Sequence, residues 1–186
     1  MTTDLVTNDQ HIIDSVKDWI DNVVIGLNFC PFAKKEMQQE TVSYLVSHNL
    51  NINESLEQLI EQLCVLDQHT EIQTSLLIFS KGFIAFEEYL ELVEYASGII
   101  EQGGYSGIYQ LATFHPDYCF AGEAQDDPAN YTNRSPYPIL HILRESSIEQ
   151  VLKRYPDPQN IPDNNIAKAR AMGSEKLKSM LQKKTT

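Results

Sequence analysis

The sequence predicts an α/β or α+β domain, with a single mixed sheet of about four strands and helices packed against it. Two observations carry this expectation. Short runs near 41–47, 75–79, 108–114 and 139–143 have strand length and composition, while longer segments between them repeat apolar residues at helical spacing. The run from Ser75 to Phe79 is also apolar at successive positions, as in a central strand covered on both faces.

The elements follow in order. Ile12, Ile13, Val16, Ile20, Val23, Val24 and Leu27 stripe a helix from about Asp9 to Ile25, with Gly26 as its stop. Cys30 to Met37 reads as a short second helix with Pro31 in its first turn and Cys30 as N-cap. Thr41 to Ser47 alternates like a strand with one face better buried, which suits a sheet edge. Leu56, Leu59, Ile60, Leu63 and Cys64 then stripe a helix capped by Asn53, which makes Cys64 a core residue.

Phe86 to Glu101 carries another apolar stripe ended by Gly103 and Gly104, and Ile108 to Phe114 forms a strand stopped by His115-Pro116. Pro116 to Pro138 has no period, and a loop of that length inside a domain is unusual unless it serves a function. Ile139 to Leu143 is the last strand, followed by a helix to about Arg154, with Ser146 and Glu149 as its capping box. A final helix begins near Pro162. No repeat or linker divides residues 1–186, so one domain is expected, with frayed ends at 1–8 and 183–186.

Composition narrows the function classes. The 26 acidic residues outnumber 14 basic ones, giving a net charge of -12 that repels nucleic acid and anionic membranes. Lys176, Lys178, Lys183 and Lys184 read as a solvated helix end. Cys30, Cys64 and Cys119 form no CxxC pair, and the N-terminus has no signal-peptide pattern, so reduced thiols and a cytoplasmic location are expected.

Between Phe114 and Glu145 the chain concentrates chemistry-bearing groups beyond what folding requires. His115 ends one strand and His141 lies within another, so both are candidate acid/base groups, with Asp117 or Asp127 to orient a ring. The competing reading makes His141 a core histidine with a satisfied hydrogen bond and His115 a turn-capping residue. Asn130, Tyr131, Asn133, Arg134, Ser135 and Arg144 are candidate ligand-binding residues, able to hold an anion by charge-assisted bonds. Alternatively the asparagines and Ser135 order the loop while Arg134 pairs with Asp126 or Asp127.

His115, Asp117 and His141, with Glu123, Asp126 or Asp127, are candidate ligands for a divalent metal, although no HExxH, CxxC pair or EF-hand loop is present. Cys30, expected at a helix start, is a candidate nucleophile that His115 or His141 would activate on contact. Cys119 is weaker, because Tyr118 and Phe120 flank it. Walker A, GxGxxG and GxSxG motifs are absent, so no cofactor is assigned.

Three stretches, GLNFCPFA (26–33), FHPDYCFAG (114–122) and ANYTNRSPYPILHILRE (129–145), resemble the bacterial and plant family called domain of unknown function 1415. The resemblance implies no reaction or cofactor. It highlights Cys30, Pro31, His115, Pro116, Asn130, Tyr131, Asn133, Arg134, Ser135, His141 and Arg144, and the family pattern does not require Cys119. Three readings stand together: an enzyme acting on a small polar or anionic metabolite, a metal-binding protein, and a non-catalytic module recognising a metabolite or protein through Tyr118, Tyr131 and Tyr137.

Overall fold

The computed structural model describes residues 2–153, 155 and 157–181, with side chains described from residue 8. Its first helix, α1 (Thr2–Trp19), continues into a π-helix (Ile20–Ile25). The widened turn is closed by the Gly26 N–H, which donates to the Asp21 carbonyl at 3.0 Å. A Cβ at Gly26 would lie 2.4 Å from the Asn22 carbonyl oxygen, so glycine permits the closure.

Then come α2 (Ala33–Gln38), β1 (Val42–Ser47), α3 (Ile52–Gln68), β2 (Thr74–Phe79), α4 (Phe86–Gln102) and β3 (Tyr109–Phe114). A 3-10 turn (Pro128–Thr132) precedes β4 (Ile139–Arg144), α5 (Glu145–Leu152), a second 3-10 turn (Pro158–Asn160), α6 (Ile161–Met172) and α7 (Ser174–Leu181). Arg154, Lys183 and Lys184 lie outside the described residues.

The strands form one mixed sheet in the order β1-β2-β4-β3, with β1 parallel to β2 and the other pairs antiparallel. β1 is an edge strand as its alternation predicts, and every residue of β2 is buried. Alternation divides the core in two. Leu76, Ile78 and Ile139 pack under α1, the π-helix, α6 and α7. Leu77, Phe79, Leu140 and Ile142 pack under α3 and α4.

Several local expectations are corrected. α2 begins at Ala33 with Phe32 as its N-cap, so Cys30 lies before the helix and does not cap it. Asn51, not Asn53, caps α3, its Oδ1 accepting from the Glu54 N–H at 3.0 Å. Cys64 is exposed, as is Ile60, because α3 turns Leu59, Leu63, Leu66 and Gln62 inward. Gln62 is accommodated there since its Oε1 accepts from Ser75 Oγ at 2.8 Å. α5 starts directly at Glu145 with no side-chain cap, so Ser146 is not an N-cap. The closing segment is broken between α6 and α7 at Gly173, whose φ of 81° suits glycine.

Leu77 and Leu140 face one another across β2 and β4 in the α3/α4 core. Leu77→Ala or Leu140→Ala should each destabilise the domain by about 2–5 kcal/mol. Ile60→Ala should stay within about 0.5 kcal/mol. Urea unfolding compares them, and equal losses at all three positions would contradict the described burial.

Candidate functional site

The segment after β3 is an ordered loop held by its own side chains. Asn130 is fully buried, its Nδ2 donating to the Ala124 and Gln125 carbonyls at 2.9 and 3.3 Å while its Oδ1 accepts from the Phe120 N–H at 3.0 Å. Asn133 Nδ2 donates to the Thr113 carbonyl at 3.0 Å, and Ser135 Oγ to the Tyr137 carbonyl at 2.5 Å. Tyr131 is buried in the core beneath α6 and α7, and Arg134 stacks over its ring at 4.6 Å. The Arg134 guanidinium also donates to the Tyr118 and Gln125 carbonyls, so its charge serves the loop backbone.

The carboxylates of this loop are bridged by a residue outside it. Arg170 of α6 meets Glu123 at 2.9 Å and Asp127 at 3.1 Å, and this pairing holds the Asp127 carboxyl below its usual range. Arg134, which one of the two sequence readings paired with Asp126 or Asp127, makes no such pair among the described residues, and α6 presents Arg170 there instead. Cys119 is partly buried, its Sγ 3.5 Å from the Glu123 carbonyl oxygen.

His115 is fully buried, its ring packed at a tilt against Phe86 and Tyr89 of α4, each centroid 5.1 Å away. Its Nε2 donates to the Phe83 carbonyl at 3.0 Å, and its Nδ1 accepts from the Asp117 N–H at 3.0 Å. Both ring nitrogens are therefore occupied, and burial lowers its pKa. The Asp117 backbone, not its exposed carboxylate, makes the contact with the ring.

His141 lies on the opposite face of the sheet. It lines a cavity of about 220 Å³ between the sheet and α1, the π-helix and α2, walled by Trp19, Ile20, Val24, Leu76, Ala112 and Phe114. Its Nε2 is 2.5 Å from Thr74 Oγ1, and that hydroxyl donates its hydrogen to the Ile142 carbonyl at 2.7 Å. With the hydroxyl hydrogen assigned to that carbonyl, the oxygen accepts from His141 Nε2–H, an arrangement that satisfies both groups. The Nδ1 lone pair is left for the cavity. Burial pushes the His141 pKa down to about 4, so the ring is neutral at pH 7.

Cys30 lines the same cavity, and also the wall of a second cavity of about 280 Å³ bounded by Pro162, Asn165 and Ile166 of α6. Burial pushes its thiol pKa up, and this outweighs the opposing Phe32 and Ala33 N–H groups. Glu36 and Trp19 also reach the first cavity. The Glu36 carboxylate, nearly buried, accepts from Thr41 Oγ1 at 2.5 Å and pairs with Lys35 at 3.2 Å. Trp19 Nε1 is buried with no acceptor among the described residues.

Arg144, at the end of β4, braces the far end of α3. It donates to the Leu66, Ile72 and His69 carbonyls and to the Tyr109 hydroxyl, the Ile72 bond measuring 2.8 Å. Cations suit a helix C-terminus, where carbonyls lack partners. The structure therefore brings Cys30, His141 and Arg144 to the first cavity, sets Thr132 and Asn133 of the NYTNRS loop with Cys30 on the second, and places His115, Asp117 and Arg134 elsewhere. Among the described residues, no group of three or more His, Cys, Asp or Glu side chains is arranged to hold a metal ion. Thr74 and Trp19 were not singled out by the sequence, since a threonine at a strand start and a tryptophan on an apolar stripe carry no distinctive signal.

A family model described as "Protein of unknown function (DUF1415)" matches residues 11–179. The chain belongs to this family. No curated protein and no solved structure matches it. The family's description assigns no activity, so the DUF1415 match defines the chain's relatives without defining its chemistry. No helix among the described residues is long and apolar enough to cross a membrane.

The histidines predict a pH response. Unfolded His141 titrates near 6.5 and folded His141 near 4, so between these values the unfolded chain binds more protons. Stability should therefore fall as pH drops from about 6.5 toward 4, by about 1.4 kcal/mol per pH unit for each proton excluded. His115, also lowered, acts in the same direction. Urea midpoints from pH 7 to 4.5 should show a shallower decline for His141→Gln; an unchanged slope would mean that His141 does not titrate this way.

Proposed function

We propose that the chain binds a small, uncharged, largely apolar molecule in the cavity lined by His141 and Cys30, with His141 Nδ1 accepting a hydrogen bond from it. The observation that carries this reading is the contact chain from His141 Nε2 through Thr74 to the Ile142 carbonyl, which occupies one ring nitrogen and leaves the other as a neutral acceptor on a mostly apolar wall. Trp19 adds support, because a buried donor without an acceptor is a group that a ligand's oxygen would satisfy. A polar or anionic metabolite fits less well, since the guanidinium groups of Arg134 and Arg144 are engaged by backbone carbonyls.

An enzyme reading, with Cys30 as nucleophile and His141 as base, is favoured by their shared cavity. Two features weigh against it. A histidine titrating near 4 is a weak base at neutral pH, and the Cys30 thiol is pushed away from its reactive thiolate. At pH 7 Cys30 should alkylate with iodoacetamide more slowly than a free thiol. Faster alkylation, slowed by His141→Gln, would move the assignment to the enzyme.

A thermal-shift screen of uncharged small molecules tests the binding reading. A ligand present at 100 times its Kd should stabilise the fold by about 2.7 kcal/mol. Hydroxyl-bearing compounds should bind better than their methyl ethers, and His141→Leu should remove that preference. The proposal is lost if no such compound stabilises the wild-type chain, or if the preference survives in His141→Leu.

A further inference from the structure

At the other end of β2 lies a cluster that the sequence motifs did not indicate. Ser80 directly follows β2, and His48 directly follows β1, its parallel neighbour. Ser80 Oγ is 2.7 Å from His48 Nδ1, and His48 Nε2 is 2.9 Å from Asp9 Oδ1 on α1. Alternation along the strands turns Ser80 and His48 to the α1 side of the sheet. Three elements distant in sequence thus bring hydroxyl, imidazole and carboxylate together, the first two within hydrogen-bonding distance and the last two at ion-pair distance.

From this geometry we infer that Ser80, His48 and Asp9 form an acyl-transfer site that hydrolyses small esters. The tautomer that presents Nε2–H to Asp9 leaves Nδ1 as acceptor for the Ser80 hydroxyl hydrogen. The His48–Asp9 contact is at ion-pair distance but off the line of the ring N–H, and both atoms are shielded from solvent. Charge attraction does not require that alignment, so the contact strengthens once His48 becomes an imidazolium. Ser80 Oγ also lies 2.9 Å from the Ser47 carbonyl, which competes for its one hydrogen. The Asp9 carboxylate beside Nε2 keeps the imidazole proton there and so makes Nδ1 an acceptor, a neighbouring charge that His141 lacks. The Ser47 carbonyl holds the hydroxyl in place until a substrate arrives.

The surroundings fit the chemistry. The backbone N–H of Lys81, the residue after the serine, and that of Gly82 meet no acceptor among the described residues. An N–H directly after a nucleophile is a frequent donor to the oxyanion of a tetrahedral intermediate. Gly82 permits the close approach of the two loops, since a Cβ there would lie 2.4 Å from the Asn49 carbonyl oxygen and 3.5 Å from Leu50 Cα. Among the described residues the two most exposed large apolar side chains, Leu50 at 70% and Ile84 at 66%, belong to these same loops. Exposed apolar side chains on both loops favour esters with an apolar acyl group.

The steps balance without a cofactor. Ser80 Oγ attacks the ester carbonyl carbon as its proton passes to His48 Nδ1, and the carbonyl oxygen takes the π pair, facing the Lys81 N–H. The pair returns, the bond to the alkoxide breaks, and His48 protonates that leaving group to release an alcohol. Water then repeats the sequence on the acyl-serine, giving a carboxylic acid and restoring Ser80. Asp9 is a positioning residue that steadies the imidazolium.

The test uses the full chain, treated with diisopropyl fluorophosphate and mapped by peptide mass spectrometry, with p-nitrophenyl butyrate hydrolysis alongside. A single phosphoryl adduct on Ser80 is expected. His48→Gln should slow adduct formation and hydrolysis by about 100-fold or more, Asp9→Asn should slow both less, and Ser80→Ala should abolish both. Circular dichroism checks that each variant is folded. No adduct on Ser80 in the wild-type chain would overturn the inference whatever the variants do. An adduct forming equally fast in folded His48→Gln, or hydrolysis surviving in Ser80→Ala, would overturn it as well.

Discussion

Strand β2 has both faces and both edges covered, and the positions of the other elements follow from that burial. Successive side chains of Leu76, Leu77, Ile78 and Phe79 enter opposite cores, so helices must cover each face. The polar residues at the start of β2 are admitted only with partners. Ser75 donates to Gln62 on one face, and Thr74 donates to the β4 backbone while accepting from His141 on the other. The same register that packs the two cores therefore gives His141 Nε2 its partner.

Hydrogen-bond satisfaction explains why a dense run of polar residues does not make one site. A long loop whose 3-10 turn packs against α6 and α7 has no ladder to pair its backbone groups, and those that are shielded need a protein partner. Asn130, Asn133, Arg134 and Ser135 supply those partners. His115 does the same between the β3 end and the Phe83 loop. Phe83 itself has a φ of 59°, an uncommon conformation for a non-glycine residue, and the His115 bond to its carbonyl helps hold it.

The two ends of β2 differ in chemical character. Its first residue faces an apolar cavity where burial keeps a histidine neutral and a thiol protonated. Beyond its last residue, loops following parallel strands bring Ser80 and His48 together near the surface, the end of such sheets at which ligands commonly bind. The cavity and the loop cluster are physically separate, so the proposed binding and the proposed acyl transfer can each stand without the other.

The sequence by itself determined the element types, the mixed sheet and the strand limits to within a residue, because period-2 and helical spacing reflect local geometry. It also marked Cys30 and His141, which share a cavity wall. It misplaced Cys64, since two adjacent angular arcs of α3 look equally apolar until Gln62 is seen to pair with Ser75. Tertiary structure alone decided that His115 and His141 face opposite cores, that Arg170 rather than Arg134 pairs with Asp127, and that Asp9, His48 and Ser80 meet. Each of these depends on contacts between residues far apart in the chain, set by strand order and register, and no local pattern of residues encodes them.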